Sequence, residues 1–414
     1  MLDSLTIDGV GPMPVERPGT VAELCAIVRR CAESRTAIYP VGGGMMLDYG
    51  MPPARPGIAL STTALNRIID YPARDLTITV EAGVTMEKLQ EVLAAENQWL
   101  PIDIPLKSTI GGAIACDISG PRRYGYGTLR DYIIGITVVN DRGEECKAGG
   151  RVVKNVAGYD MMKLHTGALG TLGVITQVTL RVKPKPESSV CVAVFQSDRD
   201  DALIQGPMEL FGRTKTQPVL TDFALNLGFN VQGHRRPEKQ GATLFVGFEG
   251  THESVEWQAK QFGDEVSSAS LDFNRTDQEL NAPWGRRDFR DSDNARATFR
   301  TTMPVSASAD FCAQARTVEL HFLDGPIAAG VLHGTIYSDK LSPRQIETVV
   351  RGLRDHLYGN GGNLVLGRCE SDLKRSLGVW GRPPADLALQ KAVKRALDPH
   401  NLFNPGRFVT DAFV

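Results

Sequence analysis

Pro40-Val41-Gly42-Gly43-Gly44-Met45-Met46 is the stretch of this chain best suited to gripping an anion. Consecutive glycines take dihedrals closed to other residues and bring main-chain amides close to a ligand. Successive amides in such a turn form a concave nest for anions such as a pyrophosphate. A glycine triplet alone also serves ordinary surface turns. Two further glycine-dense turns share the first half of the chain, Ser108-Thr109-Ile110-Gly111-Gly112 and Gly167-Ala168-Leu169-Gly170-Thr171-Leu172-Gly173. The three together predict one extended ligand lying across several loops. The last turn is not a dinucleotide fingerprint, which needs G-x-G-x-x-G after a strand and opening a helix. Here a helix-like run, Met161 to Thr166, comes before it and a strand, Val174-Ile175-Thr176-Gln177-Val178, comes after. A nicotinamide dinucleotide is therefore disfavoured.

No metal site is legible. The seven cysteines are odd in number and contain no CxxC pair, so neither a zinc nor an iron–sulfur site is indicated. Buried, reduced thiols are the expectation. The seven histidines are scattered, and the nearest pair, His321 and His333, lacks the spacing of a metal-binding helix.

The elements that must position the glycine turns can be read from periodicity and caps. Thr20, followed three residues later by Glu23, has the capping-box spacing, and Leu24, Ile27, Val28 and Cys31 then share one helical face. Ala37 to Pro40 reads as a short strand delivering the first glycine turn. Leu76 to Ala82 alternates as a strand, Met86 to Ala94 is a helix, and Ile133 to Asn140 is a strand closed by the hairpin signal Asn140-Asp141-Arg142-Gly143. Lys183-Pro184-Lys185-Pro186 breaks regular structure and marks a domain boundary near residue 186. Two strand–helix units follow, Val190 to Phe211 and Thr243 to Phe262, predicting an α+β domain whose sheet is covered on one face. Gln278 to Asp293 is polar and arginine-rich and reads as a mobile loop. A helix over Leu387 to Leu397 leads into the closing Asp398-Pro399-His400-Asn401-Leu402-Phe403-Asn404-Pro405-Gly406-Arg407.

Composition excludes several classes. The 414 residues carry a formal net charge of -2, leaving no field to steer nucleic acid and no basic run for an anionic membrane. No apolar stretch is long enough to cross a bilayer, and the first residues show no secretory signal.

The three glycine turns and the closing motif resemble the FAD-binding oxidoreductases of the vanillyl-alcohol oxidase type, the PCMH fold. In that family a proline–glycine loop cradles the FAD pyrophosphate, matched by Pro40 to Met46. A Thr-Ile-Gly-Gly turn packs against the flavin, matched by Thr109 to Gly112, and a Gly-x-Leu-Gly-Val-Ile strand entry is matched by Gly170 to Ile175. The Asp-Pro…Asn-Pro-Gly tail is matched by Asp398 to Gly406. Within the family, Ser119-Gly120-Pro121-Arg122-Arg123-Tyr124-Gly125-Tyr126-Gly127-Thr128-Leu129-Arg130-Asp131 and Val153-Lys154-Asn155-Val156-Ala157-Gly158-Tyr159-Asp160 look like signatures of the GlcE-type FAD-binding subunit of bacterial glycolate oxidase. The middle of the chain, roughly residues 190 to 385, matches much less well.

The resemblance implies a two-part FAD-binding domain, residues 1–186 with a returning tail 386–414, and an α+β cap domain, residues 187–385. The implied FAD contacts are Pro40, Val41, Gly42, Gly43, Gly44, Met45, Met46, Ser108, Thr109, Ile110, Gly111, Gly112, Ser119, Gly120, Gly170, Gly173, Val174, Ile175 and Asn404. Relatives that attach FAD to a histidine in the first loop have it where this chain has Gly44-Met45-Met46, so noncovalent FAD is expected, with Cys116 the remaining thioether alternative. Arg122, Arg123 and Arg130 suit a phosphate, a neighbouring subunit or solvent equally, and Tyr159 and His165 suit core packing better than the flavin. Oxidising a 2-hydroxyacid needs a cation for its carboxylate and a base for its hydroxyl. Arg300 fits the first role through bidentate pairing. His333, in Val331-Leu332-His333-Gly334-Thr335, is the base candidate, a remnant of the paired-histidine segment of related hydroxyacid dehydrogenases.

The implied activity is glycolate to glyoxylate beside a catalytic flavin subunit and an iron–sulfur subunit, in the cytoplasm or peripheral to the inner membrane, with no nucleic acid and no metal. Two alternatives stay open: a flavin-bearing subunit without turnover of its own, and a stand-alone FAD-linked oxidase of sugars or lactones.

Overall fold

The structure, a computed structural model, describes residues 3–150, 159–196, 209–226, 241–269, 272–276, 295–318, 320, 322–337 and 341–408. The expected loop over Gln278 to Asp293, most of the expected helix near Asp201, and the run Val153 to Gly158 lie outside these residues. The chain divides into two compact units: residues 1–119, 128–185 and 383–413 form the first, and 120–127 with 186–382 form most of the second.

The first unit opens with β1 (Ser4–Ile7), β2 (Val10–Glu16) and α1 (Val21–Ser34), then β3 (Ala37–Val41) and β4 (Gly57–Ser61). These strands make a sheet ordered β1-β2-β4-β3, with β4 parallel to both β2 and β3. α1 starts as the capping residues dictate, with Thr20 Oγ1 accepting the Glu23 amide. Glu23 returns its carboxylate to the Gly19 amide, one residue outside the usual box.

A second sheet is antiparallel and ordered β5-β6-β10-β8-β9, from β5 (Ile68–Asp70), β6 (Thr77–Glu81), β8 (Ile133–Val139), β9 (Glu145–Gly149) and β10 (Val174–Arg181). α2 (Met86–Ala94) and α3 (Ile110–Cys116) bury Leu89, Leu93, Ile110 and Ile114 in one core with Val80, Ile136 and Val178. Lys183 and Pro184 do not leave regular structure at once: as β11 (Lys183–Pro184) they bridge β7 (Gln98–Trp99), where a proline at a short edge is tolerated. The tail belongs to this unit. Leu402 and Phe403 share a core with Leu24 and Val28 of α1 and with Ile38 and Leu60.

The second unit carries β12 (Ser188–Gln196), β13 (Leu220–Asn226), β14 (Gly241–Gly250), β15 (Asp272–Thr276), β16 (Ala297–Thr302), β17 (Phe322–Gly325), β18 (Val331–Ile336) and β19 (Asn363–Cys369). All pair antiparallel, in the order β15-β12-β14-β13-β17-β18-β16-β19. The helices His252–Ser268 and Pro343–Gly359 pack on this sheet, so the unit is α+β. The excursion 120–127 is fixed inside it: the Arg122 guanidinium pairs with Glu249 at 2.8 Å, both side chains almost fully buried. Gly125 lies so close to Val219 that a Cβ there would meet the Val219 Cα at 2.5 Å. Arg122 is thus taken up by an internal carboxylate. No helix among the described residues is long and apolar enough to cross a membrane.

Candidate functional site

The first unit holds an open cleft of about 900 Å³, its open mouth included. Its wall brings together all three glycine turns and the tail. Pro40 through Met46, Ser108, Thr109, Gly111, Gly112, Gly170, Gly173, Val174, Ile175 and Asn404 line it. Three expected residues do not. Ile110 is turned wholly into the core, because it sits on the apolar face of α3, and Ser119 and Gly120 lie outside the wall.

The turns meet through main chain. Strand β3 delivers Gly42 to Gly44 against the 107–112 turn, and the approach is closer than any side chain permits. A Cβ on Gly42 would stand 2.0 Å from Thr109 Oγ1, and one on Gly43 would stand 2.7 Å from the Lys107 carbonyl. The missing side chains therefore face the neighbouring turn, not the ligand space. Thr109 caps α3: its Oγ1 accepts the Gly112 amide and, across the contact, the Gly43 amide, each at 3.3 Å. Gly44 is left-handed, at φ +72°. Among the described residues no protein acceptor takes the Gly42 or Gly44 amide. One amide of the expected nest is thus engaged internally and two remain available. Ser108 Oγ, buried in the wall, has no hydrogen-bond partner.

Sequence reasoning named Cys116 only as a possible attachment point, and it missed two wall or support residues, Arg407 and Lys394. Cys116 lines the cleft, and burial pushes its thiol up to about 12. Arg407 lines it too, but its guanidinium is held by Asp8 Oδ2 and by the Leu47 and Tyr49 carbonyls. Lys394 lies behind the third turn, donating to the Thr171 carbonyl at 2.7 Å. Lys394 precedes Asp398 by four residues, and Arg407 closes the tail motif, so spacing was the available signal. Asn404 was expected at a ligand edge. Its Nδ2 instead donates to the Leu169 carbonyl, tying the tail to the third turn, while the residue still lines the cleft. His165 packs behind Gly173, where desolvation by burial lowers its pKa to about 4. Tyr159, by contrast, is 94% exposed, so the expected core packing does not hold for it.

Arg300 and His333 lie in the second unit, and the register sets them directly opposite each other on β16 and β18. His333 is in turn opposite Asp324 on β17. The row below, Leu323, Gly334, Phe299 and Leu366, carries buried apolar side chains, so the Asp324–His333–Arg300 row belongs to the other face of the pleat. The Arg300 Nε is buried without a hydrogen-bond partner. Among the described residues no group of three or more His, Cys, Asp or Glu could hold a metal ion.

Comparison with known proteins agrees with this geometry. Residues 12–149 match the FAD binding domain, and residues 215–365 and 373–408 match the C-terminal domain of the FAD linked oxidases. The chain is 28% identical to glycolate oxidase subunit GlcD of Bacillus subtilis (strain 168), over 97% of this chain and 90% of that protein. It is 30% identical to glycolate oxidase subunit GlcE of Escherichia coli (strain K12), over 46% of this chain and 53% of that one. A solved structure of alkyldihydroxyacetonephosphate synthase shares the fold, with TM-score 0.68 and 16% identity, over 95% of this chain and 77% of that chain.

Proposed function

The chain belongs to the FAD-linked oxidases, and from that premise we propose that it is the FAD-binding subunit of a complex oxidising glycolate, or a close 2-hydroxyacid, to the 2-oxoacid. Its cofactor is FAD. The observation that carries the reading is the cleft where three glycine turns and the tail converge.

The residues present fit the cofactor. Two unengaged glycine amides and the unpartnered Ser108 Oγ are donors for its oxygens, while Met46, Ile118, Val174 and Ile175 give the same cleft an apolar wall for a flat ring. Arg407, whose guanidinium is committed to Asp8 and two carbonyls, leaves the diphosphate to neutral donors. Attachment is noncovalent in this reading. The first loop has no histidine, and the Cys116 thiol, with its pKa near 12, stays protonated at neutral pH.

When bound, the flavin supplies the hydride-accepting chemistry. The protein's share is to bind and orient the acid and to move one proton. Arg300, whose Nε lacks a partner, is suited to the substrate carboxylate, and His333 opposite it to the hydroxyl proton. Asp324 stands on the same row, opposite His333.

Both glycolate oxidase relatives are subunits, which supports an assembly. A catalytic flavin subunit and an iron–sulfur subunit are the partners proposed. Anaerobic titration of the purified, yellow protein with glycolate decides between the readings. Bleaching by glycolate alone supports turnover on this chain, and bleaching only after the partner is added supports a subunit that relays electrons. Bleaching by sugars or lactones and not by hydroxyacids overturns both.

A further inference from the structure

The first and third glycine turns are over a hundred residues apart in sequence, and the tail, more than two hundred residues further on, binds both. At one end Arg407 donates to the Leu47 and Tyr49 carbonyls just beyond the first turn, each at 2.6 Å. At the other, Asn404 holds the Leu169 carbonyl and Lys394 Nζ the Thr171 carbonyl. In between, the tail runs beside β3, with the Ile38 amide on the Leu402 carbonyl and the Asn404 amide on the Ile38 carbonyl.

What shapes the tail is a buried ion pair. Lys394 Nζ meets Asp398 Oδ2, and the lysine is 11% exposed while the aspartate is wholly buried. The same carboxylate accepts the Leu402 and Phe403 amides, folding the tail back, and Lys394 also donates to the Phe403 carbonyl. Breaking one partner of a buried pair leaves a lone charge in the core, whereas a surface pair lost costs little.

We infer that Lys394 and Asp398 are positioning residues for the cofactor cleft, and that docking of the tail is coupled to FAD occupancy. This rests on the assignment of the cleft to FAD. Because coupling is reciprocal, FAD must hold the tail as firmly as the tail holds FAD.

The full chain is stripped of flavin and titrated with FAD, with chymotrypsin cleavage at Phe403 followed in parallel. In the wild type, FAD slows that cleavage at least tenfold. Lys394→Met weakens FAD binding in the folded fraction ten- to hundredfold and abolishes the protection, beyond any fall in the melting temperature that the unpaired Asp398 brings. Lys394→Arg, which keeps the charge, restores most of the affinity. A merely structural lysine would leave FAD affinity unchanged in the folded fraction, whatever the melting temperature, and that result overturns the inference. Should Lys394→Met not fold, equal cleavage of the flavin-free and FAD-loaded wild type overturns it, and FAD-dependent protection upholds it. A wild type that takes up no FAD overturns the cleft assignment as well, so the two failures are told apart.

Discussion

In the first unit the polar part of the cleft is set by main chain: glycine turns that meet at a helix cap, and carbonyls held by Lys394, Asn404 and Arg407. In the second unit the candidate chemistry is a row of three side chains, Asp324, His333 and Arg300, brought level by strand register. The first arrangement depends on groups that are absent, since any Cβ at Gly42 or Gly43 collides with the next turn. The second depends on groups that are present, on an otherwise ordinary antiparallel sheet. Main-chain recognition tolerates almost no substitution at the contact. A side-chain row can change substrate while the sheet stays intact.

The sharpest break is Gly42→Val. Overpacking at 2.0 Å from Thr109 Oγ1 should cost roughly 3 kcal/mol, about a hundredfold or more in FAD affinity, read as flavin bound per protein. Full flavin retention would show that the turn contact is not what forms the cleft.

Next in size is a pH effect confined to the first unit. His165 is neutral when folded, its pKa held down to about 4 from 6.5 by burial. A depressed histidine pKa means the unfolded chain binds the extra proton first. Its contribution is therefore present above pH 6.5 and lost as pH falls from there toward 4, by about 3 kcal/mol in all. Urea unfolding at pH 7 and pH 4.5 should show this loss, and His165→Phe should flatten it. An unchanged slope in that variant would assign the acid sensitivity elsewhere.

Arg300→Lys tests the second unit alone. Losing a bidentate carboxylate contact should raise KM for the hydroxyacid roughly tenfold or more while flavin content is unchanged. A variant that loses flavin instead would erase the distinction between the units. The smallest effect expected is that of Thr109→Val, which removes the acceptor for the Gly43 and Gly112 amides. About 1 kcal/mol, or roughly fivefold in FAD affinity, should be lost and regained in Thr109→Ser.

Much of the first unit was legible because its signals are local. Thr20 caps the helix that its spacing with Glu23 announces, and Met86 to Ala94 forms the helix read from its pattern. The glycine turns line a common cleft as expected. The exceptions have physical causes. Ile110 lies within a ligand-facing turn but on the apolar face of α3, so the core takes it. Arg122 sits among arginines that suited a phosphate, yet Glu249, distant in sequence, neutralises it inside the second unit.

Sequence by itself determined which stretches could pack turn against turn around a ligand, because only glycine permits so close an approach of main chains and glycine is visible in the letters. It also determined the caps and periods of the helices and strands around them. Tertiary structure decided which donors are still available after packing, that Gly43 is engaged by Thr109, and that Arg300 and His333 stand opposite each other. It also decided that a buried Lys394–Asp398 pair bends the tail to the cleft. Those outcomes depend on pairings between residues tens to hundreds of positions apart, and no local propensity encodes them.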